Sequence, residues 1–352
     1  MKNHEEQGVE RLSTLLGNII PLTLSPPRVG KPAADMGVDA VLLAEIDGKR
    51  FELLVEVKST AQPRHVRPAL LQLRHVAAQV GKAAVPVLVA PFLSDQSQAL
   101  CREFEVGYLD FEGNAFLSFG SVFIERSVAG KPAAHQRELK SLYKPKAAQV
   151  LRELLDDPAR EWLTTELADS AGVSLGHVSN VRTALLEREW ARVTPRGFSL
   201  IAPDALLDDW RAFYDPRGER REAFYTAFHG DDLGNAIRAA LRAANDSGLR
   251  LVLSSFSAAE WLSPYARAPV SSFYAEEAAL PLLRQALKLT DVSRGENVVV
   301  TIPRDEGVFR GAVFPAADVA CTSALQTYLD LASSGERGRE AAEFLRKQKL
   351  KW

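Results

Sequence analysis

The feature that most constrains this chain is the alternation in Phe51-Glu52-Leu53-Leu54-Val55-Glu56-Val57-Lys58. Phe51, Leu53, Val55 and Val57 occupy alternate positions, and a period of two belongs to a β-strand. Glu56 and Lys58 then point to one face, about 6.6 Å apart along the strand. Asp39 stands upstream in Gly37-Val38-Asp39-Ala40, at the end of another strand-like run. If the two strands pair, two carboxylates and an ammonium converge. Two carboxylates suit Mg²⁺, a hard cation that takes oxygen ligands and keeps waters. A neighbouring lysine can orient an attacking water and balance phosphate charge. An ordinary hairpin with solvent-facing charges gives the same short pattern, so the flanking elements carry the weight.

Those elements are a helix over Glu5–Leu16 with Val9, Leu12, Leu15 and Leu16 apolar, an amphipathic helix over Arg67–Val80, and a short buried strand over Val85–Ala90. In this order the residues resemble the PD-(D/E)XK nuclease superfamily. Asp39 matches its metal-binding aspartate, Glu56 its second acidic ligand and Lys58 its catalytic lysine. The resemblance implies a restriction-endonuclease-like α/β domain, with Asp39, Glu56 and Lys58 catalytic. It makes Asp39 and Glu56 the ligands of Mg²⁺ wherever such a site is active. Members that keep the fold only for binding are also known. Arg64, His65, Arg67, Arg74 and His75 form a local basic patch that suits phosphate contacts, although a solvated helix face explains it equally simply. Asp110 and Asn114 flank a turn at Gly113 and are expected to satisfy its backbone; the alternative is that they approach the metal site.

Composition sets bounds. A chain of 352 residues holds two or three domains. With 46% hydrophobic and 25% charged residues it reads as soluble and globular. The net charge of −2 means that any nucleic-acid surface is local. Cys101 and Cys321 lack metal-ligand spacing and fit a reduced, cytoplasmic protein. No apolar run approaches the roughly 18 residues of a membrane span, and Met1–Glu6 does not read as a signal peptide. Hydrophilic, turn-rich stretches at 127–136 and 215–222 suggest three units, at 1–136, 137–214 and 215–352.

In the middle unit, helices are expected over Lys146–Leu155, Thr164–Ala171 and Leu175–Glu187, with a tight turn at Ala171-Gly172-Val173-Ser174. Val178, Val181, Leu185 and Leu186 share one face of the third helix. His177, Ser179, Asn180, Arg182 and Thr183 are left outside, as on a recognition helix in a major groove. Trp190–Ile201 reads as a hairpin turning at Pro195-Arg196-Gly197, which places Arg192 and Arg196 near a phosphate backbone. The sum is a winged helix-turn-helix that binds double-stranded DNA. The alternative is a small helical domain for protein contacts.

From Arg137 onward the chain resembles the AbiEi antitoxins of type IV toxin–antitoxin systems. The resemblance rests on Glu138–Leu142, Lys146–Ala148, Gly172–Val181, Asp204–Trp210, Gly295–Val299 and Tyr328–Ala332. It implies a transcriptional regulator whose winged helix represses its own promoter and whose C-terminal domain neutralises a toxin protein. The last unit reads as mixed α/β, with strands near 249–254, 270–274 and 297–302. It carries no phosphate loop, Ser/His/Asp arrangement or metal spacing, and is expected to be a regulatory or partner-binding module. Asp305-Glu306-Gly307 reads as a turn, and Trp261, Tyr265 and Tyr274 read as core, with a ligand surface as the alternative. Three functions stand at this point: a DNA-binding regulator with a nuclease-like N-terminal domain, a Mg²⁺-dependent DNA endonuclease, and an antitoxin acting mainly through its toxin. No membrane partner is expected, and a homodimer is left open.

Overall fold

The computed structural model describes residues 2–18, 22–29, 33, 36–128, 132, 141–216, 219–265 and 270–352. Much of the expected joint at 127–136, and Glu138–Lys140, lie outside the described residues. The chain divides into two compact units, residues 1–138 with 183–191, and residues 139–182 with 192–352. The protein is a mixed α/β multidomain chain. Among the described residues no helix is long and apolar enough to cross a membrane.

The first unit opens with α1 (Lys2–Gly17), the short β1 (Thr23–Leu24) and β2 (Arg28–Val29), then the hairpin β3 (Ala40–Ile46) and β4 (Lys49–Val57). α2 (Pro63–Val80), β5 (Ala84–Ala90), α3 (Asp95–Glu103), β6 (Gly107–Asp110), β7 (Ala115–Phe119) and β8 (Val122–Arg126) follow. The sheet runs β1-β3-β4-β5-β6-β7-β8, with β2 also on β3. β4 is antiparallel to β3 and parallel to β5.

The alternation in β4 pointed to one buried face, but both faces are covered. Leu53, Val55 and Val57 join a core with Val9, Leu12 and Leu16 of α1. Leu54 joins another with Leu70 and Leu73 of α2 and Leu100 of α3. All of residues 53–57 are therefore buried, Glu56 among them. α2 starts four residues before the expected Arg67, because Pro63 takes the first helical position, where a missing N–H costs nothing. Pro68 sits inside the helix and leaves one carbonyl without its partner.

The second unit begins with α4 (Pro145–Asp156) and α5 (Thr164–Ala171), leading to α6 (Leu175–Glu187), whose residues from Thr183 on count with the first unit, and to the hairpin β9 (Ala191–Thr194) and β10 (Gly197–Leu200). Gly172 closes α5 in the left-handed region, at φ 64°, and its N–H reaches the carbonyls of Ala168 and Asp169. Trp162 adds a bridge to the hairpin, through Trp162 N to Phe198 O at 2.8 Å and Phe198 N to Trp162 O at 3.0 Å. α7 (Pro203–Phe213) then leads to a seven-stranded mixed sheet.

That sheet holds β11 (Arg220–Tyr225), β12 (Leu251–Leu253), β13 (Ser271–Ala275), β14 (Thr290–Asp291), β15 (Val298–Ile302), β16 (Val313–Ala316) and β17 (Val319–Cys321). Its order is β14-β11-β15-β13-β12-β17-β16. α8 (Gly230–Asp246), α9 (Ser255–Leu262), α10 (Leu280–Ala286), α11 (Ala324–Ala332) and α12 (Gly335–Lys349) complete the unit. The stretch 215–222, read as a joint, enters β11 at Arg220. Its charges disguised the strand, whose only fully buried residue is Phe224.

Candidate functional site

Register explains how the first group of charges meets. Ala40 pairs with Val55 and Val41 with Leu54. Asp39 precedes Ala40, and its N–H reaches Val55 O at 3.0 Å. Cross-strand neighbours share a face, so Asp39 and Glu56 lie on the side of Val41 and Leu54, toward α2. Asp39 Oδ2 accepts from Val57 N at 2.7 Å, and Lys58 Nζ donates to Glu56 Oε1 at 2.5 Å. Thus Asp39, Glu56 and Lys58 come together at one end of β4.

The Glu56 side chain is 8% exposed and that of Lys58 34%. Burial pushes the Glu56 carboxyl above its ordinary range; the Lys58 hydrogen bond opposes this, and repulsion from Asp39 and Glu5 adds to it. Glu5 comes from α1, and sequence reasoning did not single it out, since an acidic residue early in a helix is unremarkable. Two carboxylates, each with one oxygen engaged, are a donor set that fits Mg²⁺ and its waters. Among the described residues no group of three or more His, Cys, Asp or Glu is placed to hold a metal.

A stability test follows from the raised Glu56 carboxyl. Its contribution is fully present below the unfolded value and is lost as pH rises through the folded one. Glu56→Gln is therefore expected to melt above the parent at pH 8 and to lose that advantage at pH 4. Thermal melts at the two pH values check it, and a lower melting point for the variant at pH 8 would contradict it.

The basic patch on α2 is partly neutralised. Arg67 makes two bonds to Glu189, at 3.1 and 2.8 Å, and Arg74 pairs with Glu105 at 2.9 Å. Arg64 is exposed and has no ion pair among the described residues. Asp110 takes the turn role expected of it. Its Oδ1 accepts from Gly113 N and Asn114 N, both at 2.9 Å, and its Oδ2 accepts from Asn114 Nδ2 at 2.8 Å.

On α6, His177, Ser179, Asn180 and Thr183 are exposed, while Val178, Val181 and Leu185 are buried. Ser174 Oγ lies 2.9 Å from His177 Nδ1, which ties that ring locally. Arg182 is half-buried, its guanidinium 5.8 Å from the centre of the Phe198 ring. Arg192 and Arg196 on the hairpin are exposed and have no ion pair among the described residues.

A second polar group lies buried in the C-terminal region, between α11, the end of α7 and β13, and no local pattern signalled it. Asp330 Oδ1 accepts from Tyr214 Oη at 2.6 Å, Tyr274 Oη at 2.9 Å and Gln326 Nε2 at 2.8 Å. Its Oδ2 and Gln326 Oε1 are buried without a partner. Burial pushes the Asp330 carboxyl up to about 6, against the three hydrogen bonds. Arg152 of α4 is also buried, 3.8 Å from Asp305 and 5.3 Å from the Trp210 ring centre, and burial lowers its pKa. Asp305 serves its turn as expected, accepting from Gly307 N at 2.9 Å. Tyr274 is buried as expected, with its hydroxyl in this polar cluster, whereas Trp261 and Tyr265, also expected in the core, are exposed.

Fold and site thus define a multidomain α/β protein with a helix-and-hairpin module of exposed polar and basic residues. Residues 199–351 match the family described as transcriptional regulator, AbiEi antitoxin, type IV TA system. No curated protein and no solved structure matches the chain.

Proposed function

We propose that the chain is a DNA-binding transcriptional regulator of the AbiEi antitoxin type. α4 to α6 with β9 and β10 act as a winged helix-turn-helix on double-stranded DNA. Asn180, Ser179, Thr183 and His177 face base edges, Arg182 lies between helix and wing, and Arg192 and Arg196 contact phosphates. The observation that carries this reading is the exposed polar face of α6 together with two exposed hairpin arginines that have no ion pair among the described residues, in a chain whose residues 199–351 match a regulator family. The same match supports a toxin protein as partner of the C-terminal sheet. The N-terminal unit is read as a PD-(D/E)XK-like domain that assists DNA binding, with Arg64 an exposed cation that has no ion pair among the described residues.

Fluorescence anisotropy on a selected operator tests the reader. Asn180→Ala is expected to relax sequence discrimination by about 1–3 kcal/mol. Arg196→Ala is expected to weaken all sequences alike and to flatten the salt dependence by about one unit of slope. If both variants bind as the parent does, the winged helix is not the reader.

A second reading rests on the meeting of Asp39, Glu56 and Lys58 on one face. Here the first unit is a metal-dependent deoxyribonuclease. Asp39 and Glu56 would hold Mg²⁺, which supplies charge stabilisation at the scissile phosphate. Lys58 orients the attacking water. Plasmid cleavage with Mg²⁺ or Mn²⁺ that disappears in Glu56→Ala would establish it. Uncut DNA with intact binding leaves the regulator alone.

A further inference from the structure

Between β15 and β16 the chain makes a short 3₁₀ turn, Glu306–Phe309, that neither the regulator reading nor the nuclease reading uses. One side of it belongs to the C-terminal sheet. Val308 is buried in one core with Leu251, Val300 and Val319. Arg250, just before β12, bonds Glu306 at 3.1 Å and lies 5.0 Å from the centre of the Phe309 ring. The other side meets the helix-and-hairpin module. Arg152 of α4 passes over Gly307, where an ideal Cβ would lie 3.2 Å from its Nε, and it stands 3.8 Å from Asp305.

Arg310 ends the turn and reaches furthest. Its Nη1 donates to Glu153 Oε1 of α4 at 3.0 Å and to the Ser170 carbonyl of α5 at 2.9 Å. That carbonyl lies in the last turn of α5, where a helix leaves its acceptors without an internal partner. The Gly172 N–H meets the Ala168 and Asp169 carbonyls, whereas Ser170 is met by a side chain 140 positions away. A cation at a helix C-terminus also faces the negative end of its dipole. Arg310 Nη2 lies over the turn itself, 2.9 Å from where a Cβ on Gly172 would stand. One guanidinium thus spans α4, the end of α5 and the turn that leads to α6.

The consequence for recognition is geometric. α6 begins at Leu175, directly after this turn, so the way α5 ends fixes where His177, Ser179 and Asn180 point. Resting on the regulator reading, we propose that Arg310 is a positioning residue for DNA recognition. From the C-terminal sheet it clamps the turn between α5 and α6 and sets the angle at which α6 meets the groove. The reader then depends on the C-terminal sheet as well as on its own helices. The Arg310 side chain is 34% exposed, so the rival role is a direct phosphate contact. Salt dependence separates the two, because a phosphate contact releases counterions and a clamp does not.

Amide hydrogen exchange and operator binding of the full chain test this, on Arg310→Ala and Arg310→Lys. The Gly172 and Val173 N–H groups bond carbonyls of α5 at 3.2 and 3.0 Å. Their exchange is expected to rise about tenfold in Arg310→Ala, the worth of one charge-assisted hydrogen bond. Arg310→Lys is expected to restore most of the protection, because an ammonium can serve both acceptors that Nη1 serves. Operator affinity is expected to fall about tenfold in Arg310→Ala with the salt slope kept, the opposite of Arg196→Ala. The ion pair is partly exposed, so Arg310→Ala is expected to melt close to the parent, which separates a loosened turn from lost folding. Unchanged exchange at the turn would overturn the clamp whether or not DNA binds. Faster exchange with unchanged operator affinity would overturn it too. A salt slope lowered by about one unit would make Arg310 a phosphate contact instead. A parent that binds no DNA would sink the regulator reading, and the recognition role of Arg310 with it.

Discussion

Gly197→Ala is expected to unseat the β9–β10 hairpin and cost about 3 kcal/mol or more. Gly197 sits at φ 143°, a conformation that L side chains rarely adopt. An ideal Cβ there would lie 2.0 Å from Trp162 O and 2.7 Å from Trp162 C. Those are main-chain atoms, so no rotamer relieves the clash. The backbone cannot retreat either, because Trp162 and Phe198 exchange hydrogen bonds of 2.8 and 3.0 Å across this point. The measurable result is a lower melting temperature together with weaker DNA binding, since Arg192 and Arg196 ride on the hairpin. Gly234→Ala is the control. Gly234 lies in α8 with nothing within 4 Å of an added Cβ, and the change is expected to stabilise by about 0.5–1 kcal/mol. Equal melting of Gly197→Ala and the parent would show that the hairpin does not close on Trp162.

Asp330→Ala in α11 is expected to be strongly destabilising, at about 3–5 kcal/mol. It removes the buried acceptor that Tyr214, Tyr274 and Gln326 share and leaves them only the weaker contacts among themselves. Asp330→Asn keeps an acceptor oxygen, and its effect depends on pH. The Asp330 carboxyl is raised to about 6 from an ordinary 3.8. A raised value means stability that is fully present below 3.8 and lost as pH climbs through 6. Asparagine does not titrate. The variant should therefore gain on the parent between pH 4 and pH 7, by up to about 3 kcal/mol. Denaturant titrations at the two pH values read this out. A parent-to-variant difference that stays flat with pH would mean that Asp330 titrates in its ordinary range.

Some of this was legible in local sequence. The period of two in Phe51–Lys58 placed β4, and Glu56 and Lys58 on one of its faces, because side-chain direction along a strand follows from backbone geometry alone. The helices α4, α5 and α6 fell where apolar spacing put them, and Gly172 marked the turn between the last two because only a left-handed residue closes α5 so tightly. Local pattern failed where charge masked a strand, as at Arg220-Arg221-Glu222, and where proline hid a helix start, as at Pro63. The balancing of Arg67 by Glu189, 122 residues away, also lay beyond it.

What the sequence by itself determined was the inventory: which segments become strands or helices, and which side chains each offers to a face. Periodicity encodes these because every residue in an element shares one backbone geometry. What only the tertiary structure decided was which offers meet. Tyr214 and Asp330 are separated by 116 positions, and their contact depends on how α7 and α11 pack around the C-terminal sheet. The burial of Glu56 likewise depends on helices covering both faces of β4, a matter of packing that the strand's own alternation does not contain.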